Sequence, residues 1–531
     1  MSSSAAAPTR LRYDSSTEQA AVAASASDLT TTNHFDLVVL GTDLAGLVTA
    51  ALAARRGKRV VVLPQGPADS RVQLGGREWR LDDAPLLSLS SPFSRRIFEE
   101  LGMWAQIQRQ RRRVPGHLHF ALGGTRLDLH EGRSLAAEAL AAWPDAPIDP
   151  ALERLEEAVE RADGVLDELL ESDAVMSPSG FWARRFLSKA AGQLRELTGD
   201  PLAPLPDEHP LRRLASASLP WVQHLKPALL GQGVALRLAA RFLFGPEDHA
   251  GGFSDLRARL IEVIKQRSGE IKSHVRVAEL LVKRGRIAGL GLLGKNERYG
   301  CEHLVVASDP RRMIDAGLLP GSLPRPLETA LHEVRPFAYR WLLHVELPDL
   351  GLSPAFDGCA VVVDDTSSER GGLDNIFVRR RPAGEGRSRV TITRIVPPDQ
   401  VHSDLRADTL ERLHRGGVLP FIHDHVELAY SPHDGRGATD GHGRPLDDLG
   451  PESARSVPMA SLYETPHGSM LGVGLLPLDS GIKNLTFASR LTYPGLGLEG
   501  ELLAGAAAAA RVVPLPASRA GLFGRLGGGS R

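Results

Sequence analysis

The sequence predicts an α/β protein that opens on a Rossmann-like, dinucleotide-binding βαβ unit, and three neighbouring observations predict it. Asp36-Leu-Val-Val-Leu40 is a short apolar run suited to a buried parallel strand. Gly41-Thr-Asp-Leu-Ala-Gly46 follows at once, and Leu47 to Arg56 keeps helical character until Gly57 stops it. Arg59-Val-Val-Val-Leu63 is a second apolar strand, which completes a unit of about 30 residues. In such a unit a pyrophosphate rests on the helix N-terminus, where backbone N–H groups point outward. Glycines let the backbone turn tightly and approach the phosphates, and the last one brings helix and strand together. Gly41 and Gly46 fill the first and third glycine places, with Leu44 and Ala45 between them on the helix start.

Composition bounds the rest. The chain has 531 residues, 42% hydrophobic and 24% charged, which excludes a chain disordered throughout and a disulfide-stapled miniprotein. Lys+Arg is 63 against 64 Asp+Glu, so no global charge draws it to nucleic acid or anionic membrane. Cys301 and Cys359 are the only cysteines, too few for a Cys-rich zinc site, and a cytoplasmic setting is the expectation. The first 33 residues lack the apolar core of a signal peptide.

Further along, HLHFAL and TRLDL around Gly123-Gly124 read as a β-hairpin. Leu152, Leu155, Val159, Ala162, Leu166 and Leu169 recur at helical spacing, and 181–197 and 228–244 have the same period, which makes an inserted helical region. Strands resume at 270–271, 275–281, 287–293 and 303–307. Residues 337–396 read as an antiparallel sheet and 403–415 as a helix. The span 484–513 runs from strand through a Gly-rich turn to an Ala-rich helix.

These segments, in this order, resemble the phytoene desaturase and carotenoid isomerase group of the amine-oxidase-like, FAD-dependent flavoproteins. Leu37 to Leu63 is similar to that family's opening FAD segment. Gly76-Arg-Glu-Trp-Arg-Leu-Asp-Asp-Ala-Pro85 with the 92–102 helix resembles the next. Gly251-Gly252 with 275–293, and Leu304-Val-Val-Ala-Ser-Asp-Pro310, resemble the middle segment. Asn484-Leu-Thr-Phe and Pro494-Gly-Leu-Gly-Leu-Glu-Gly500 resemble the C-terminal flavin motif. The resemblance covers about residues 35–513.

It implies a discontinuous FAD-binding domain interleaved with an α+β substrate domain. The expected division is a disordered arm (1–33), FAD-binding segments at 34–115, 251–312 and 466–513, substrate-domain segments at 116–250 and 313–465, and a flexible tail (514–531). It also implies flavin-mediated desaturation, oxidation or isomerisation of an apolar small molecule, with no acid or base assigned. Cofactor contacts are expected from Gly41, Leu44, Ala45, Gly46, Val277, Gly495, Gly497, Leu498 and Glu499.

Two residues count against FAD. Asp43 places a carboxylate where bare backbone should meet the phosphates, and Pro64 offers no acceptor to the ribose, leaving only Gln65 beside it. A non-catalytic binding or scaffold protein that keeps the fold without FAD is therefore the alternative. Gly75-Gly76-Arg77 reads as a hairpin turn, and Asp309 as a helix cap. His423 and His425 form a weak metal pair if they share a strand face, and no metal is assigned. The basic run Arg109, Arg111, Arg112 and Arg113 reads as a solvated loop, with a phosphate or acidic-partner contact as the alternative, and Arg379, Arg380 and Arg381 read the same way. Trp221, Phe242 and their neighbours read as core, with a substrate tunnel as the alternative, and a peripheral membrane contact through the helical aromatics or Leu522 and Phe523 stays open. No nucleic-acid platform is visible.

Overall fold

A computed structural model describes residues 33–65, 71–81, 86–113, 117–122, 124–130, 134–172, 181–244, 247–273, 275–294, 297–319, 323–353, 356, 358–363, 375–400, 404–446, 449 and 456–514. Both tails assigned from the sequence lie almost wholly outside these residues.

The opening unit forms as its sequence expects. Strand β1 (Asn33–Leu40) pairs in parallel with β2 (Val60–Leu63), Leu37 opposite Val60 and Leu40 opposite Leu63. Helix α1 (Leu44–Arg55) connects them and ends at Gly57, whose φ of 85° suits only glycine at low cost. From Leu44 to Ala54 α1 is buried all round. A helix without a polar face must be covered on both sides. Here the sheet covers one side and the Ala-rich closing helix Leu498–Val512 the other. Gly505 permits that approach: a Cβ there would lie 2.6 Å from Ala45 O.

The first sheet runs Val277–Lys283, Arg286–Leu292, Arg298–Val306, β1, β2, Glu270–Ile271 in spatial order. Its central strands are parallel. The strand Arg298–Val306 has two neighbours on one side: its first half pairs antiparallel with Arg286–Leu292 and its second half parallel with Leu485–Phe487. Asn484 fills this fork, donating from Nδ2 to Ile287 O (2.7 Å) and Glu302 O (2.8 Å) and accepting from Ile287 N (2.8 Å).

The second sheet is mainly antiparallel, built around the long strands Arg335–Pro348, Ile376–Gly384 and Arg387–Val396, with the expected hairpin His117–Leu122 and Thr125–His130 at one end. A helical layer made by Ile148–Glu171, Phe181–Thr198 and Gln232–Leu243 packs beside it. Gly75 and Gly76 form the two-residue turn of a small hairpin, with φ of 55° and 73°.

Two expectations change. His423 and His425 sit in one helical turn, Ile422–His425, so side chains two apart point away from each other and do not share a strand face. Arg379 is buried within its strand, not solvated.

Candidate functional site

A cleft of about 690 Å³ opens beyond the C-terminal ends of β1 and β2, over the start of α1. Parallel sheets present their ligand crevices at this edge. Gly41, Thr42, Asp43, Gln65, Arg257 and Arg490 contribute to its lining.

The loop before α1 is laced to the neighbouring strand. Ala307 N donates to Leu40 O (2.7 Å), and Asp43 N donates to Ala307 O (3.2 Å). Gly41 has φ 105°, and a Cβ there would meet the Ala307 carbonyl at 2.7 Å. At Gly46 a Cβ would lie 2.0 Å from Ala307 Cβ, so this glycine does what the third position of the motif requires and brings helix onto strand.

Asp43 is a favourable residue type for an N-cap, yet its side chain makes no cap hydrogen bond. Its carboxylate turns to Arg490, with Nε to Oδ2 at 3.6 Å. Arg257 Nη2 donates to Thr42 Oγ1 at 2.9 Å. Glu501, from the closing helix, does not line the cleft; it is buried, and its Oε2 has no hydrogen-bond partner. Burial pushes the Glu501 carboxyl up to about 7. Asp43 adds to the rise, while Arg490 and Arg257 oppose it. Across the cleft Asp309 caps the short helix Pro310–Asp315, as expected, accepting from Arg311 N.

The expected cofactor contacts divide. Gly41 lines the cleft, whereas Leu44, Ala45 and Gly46 are buried in α1 behind it. Val277 is a buried residue of the antiparallel edge, opposite Leu292. Gly495, Gly497, Leu498 and Glu499 do not line this cleft. A Cβ on Gly497 (φ 55°) would lie 2.3 Å from Val222 O, and one on Gly495 2.9 Å from Gly472 O. Gly495 N donates to Val473 O (3.0 Å), and Pro494 O accepts from His224 N (2.9 Å).

Glu499 is sealed in a charge cluster. Arg237 reaches it at 2.8 Å and also contacts Asp163 (2.8 Å) and Asp167 (2.6 Å). Burial alone would raise the Glu499 carboxyl, but the guanidinium holds it below the ordinary carboxylate value. Trp221 stacks on Phe377 at 4.7 Å and is core, as is Phe242, while Phe181 and Trp182 are exposed. Among the described residues, no cluster of His, Cys, Asp and Glu has metal-holding geometry. None of the described helices is long and apolar enough to cross a membrane.

Sequence reasoning found the glycine loop but missed Arg257, Arg490 and Glu501. Only Glu501 left a signal, as an acid inside an Ala-rich helix that must be buried.

No family model matches the sequence, and none of the curated proteins does. Solved structures do match in three dimensions. A putrescine oxidase variant from a redesign of its cofactor binding superposes with TM-score 0.54 at 12% identity, covering 91% of this chain and 100% of its own. Cyclohexylamine oxidase from Brevibacterium oxydans gives 0.55 at 13%, covering 90% and 98%. An oxidoreductase from Methanosarcina mazei gives 0.50 at 14%, covering 88% and 98%. The chain therefore shares the fold of these amine oxidases, which cover 91% and 90% of its length.

Proposed function

We propose that this chain is a flavin-dependent oxidoreductase of that fold, with the diphosphate of FAD held over the N-terminus of α1 and an apolar small molecule as substrate. The observation that carries this reading is the cleft of about 690 Å³ at the carboxyl edge of the parallel strands. The residues at its diphosphate end fit such a group. Gly41 keeps the backbone low, Arg257 and Arg490 bring two guanidiniums to a dianion, and Gln65 stands near the ribose position. Arg490 also offsets Asp43, the residue that most opposes phosphate. Bound FAD would accept a hydride from the substrate, in oxidation, desaturation or an isomerisation that returns it. The protein's part is to hold the nucleotide and exclude water.

A second reading has its own observation. Gly495, Gly497 and Glu499, the residues expected at the flavin, are spent on contacts within the protein. That favours a non-catalytic binding or scaffold protein on the same fold.

Absorbance of the purified chain and thermal melting with added FAD separate the two. The first reading expects flavin colour or a raised midpoint, since a ligand at about 100 times its Kd adds about 2.7 kcal/mol to the folded state. A colourless protein whose midpoint ignores FAD leaves the second.

A further inference from the structure

One face of the helical layer puts large apolar rings in water. On the helix Phe181–Thr198, Leu187, Ala190, Ala191 and Leu194 are buried where the layer packs. The opposite face starts with Phe181 and Trp182, which are 69% and 73% exposed. Their rings meet edge to face at 5.4 Å. A single exposed apolar residue is ordinary, whereas two large aromatics side by side in water mark a surface that something covers.

Basic residues follow the rings. From Phe181 to Gln193 the helix carries Arg184, Arg185 and Lys189 and no acid. All three are exposed, and among the described residues none takes part in an ion pair or a side-chain hydrogen bond. Spacings of three and four residues set Arg185 beside both rings, and Lys189 one turn further along the same face.

We propose that this face rests on an anionic lipid surface, with Phe181 and Trp182 inserted among the headgroups and Arg184, Arg185 and Lys189 against the lipid phosphates. Indole suits that boundary, because its body is apolar and its N–H finds a partner in the wet layer. Arginine and lysine lay their stems along apolar surface and keep the charge among the headgroups. A second copy does not fit the face, since it would set three cations against three. A folded protein partner needs about 800 Å² of matching surface on each side, while a bilayer yields to a projecting pair of rings. The contact is peripheral, and it stands whether or not the chain holds FAD.

Flotation of the full chain with vesicles tests this. Vesicles of phosphatidylcholine with about 30% phosphatidylglycerol should carry the protein, and pure phosphatidylcholine at least about tenfold less of it. Arg184→Gln, Arg185→Gln and Lys189→Gln together should weaken binding about 150-fold, about fivefold for each charge. Phe181→Ser with Trp182→Ser should weaken it at least about tenfold, with the melting point kept because both rings are exposed. Trp182→Phe should keep the binding and lose most of the fluorescence quenching by brominated lipid, since Trp182 is the most exposed tryptophan. No flotation with anionic vesicles, equal flotation with neutral ones, or binding untouched by the two serine substitutions overturns the proposal. Self-association in place of vesicle binding, abolished by the same substitutions in sedimentation velocity, overturns it in favour of a second copy. Should the double-serine variant fail to fold, the quenching of Trp182 decides.

Discussion

Two glycine-led turns start buried helices in this molecule, and they end in opposite surroundings. Gly41 to Gly46, before α1, borders an open, charged cleft. Gly495 to Gly497, before the closing helix, is pressed against Val222, Gly472 and Val473 of its own chain. In both, a missing Cβ lets another backbone come close. The difference teaches that a glycine pattern records close approach without saying what lies beyond it: Gly41 and Gly46 meet Ala307 beside an open cleft, Gly495 and Gly497 meet Gly472 and Val222 in a packed interior.

Three substitutions can break or sharpen that contrast. The largest effect is expected at the packed end. Arg237→Met removes the cation in direct contact with Glu499 and leaves that carboxylate buried, which should cost about 3–5 kcal/mol. Urea unfolding measures it, and a loss below about 1 kcal/mol would mean that the closing helix does not depend on this cluster.

Next comes the open end. Glu501 keeps its proton to about pH 7 in the fold and only to its ordinary 4.5 when unfolded. Between those values the fold binds the extra proton, so this contribution to stability is full below pH 4.5 and is lost as pH rises to about 7. Glu501→Gln should therefore match the wild type in acid and exceed it at about pH 8 by about 3 kcal/mol. Equal stability of the two proteins at that pH would show that the carboxylate is not buried uncompensated.

The smallest expected effect bears directly on the comparison. Gly497→Ala must place a Cβ near Val222 O from a positive φ, at a cost of about 1–3 kcal/mol. Thermal melting and FAD titration should be read together. A variant that keeps its melting point but loses FAD would place the C-terminal motif at a cofactor after all.

Much of the fold was readable because its signals are local. Leu37 to Leu63 alternates strand, glycine turn and helix within reach of short-range rules, and Gly75-Gly76 announces its hairpin. Phe181 to Thr198 has an amphipathic helical period. The site was readable only at its floor. Gly41 and Asp43 were visible as a loop, but the partners of Asp43 and Thr42 stand 447 and 215 positions away. No periodicity links residues so distant. The His423 and His425 pair misled because two histidines one residue apart share a face in a strand and not in a helical turn.

By itself, the sequence determined which segments are strands and helices and that the first helix would start at a glycine turn, since backbone propensity and burial period act over a few residues. The tertiary structure decided what that helix start faces. Charge and close approach depend on distance in space, and only folding brings Arg257 to Thr42 and Arg490 to Asp43, or sets Val222 against Gly497.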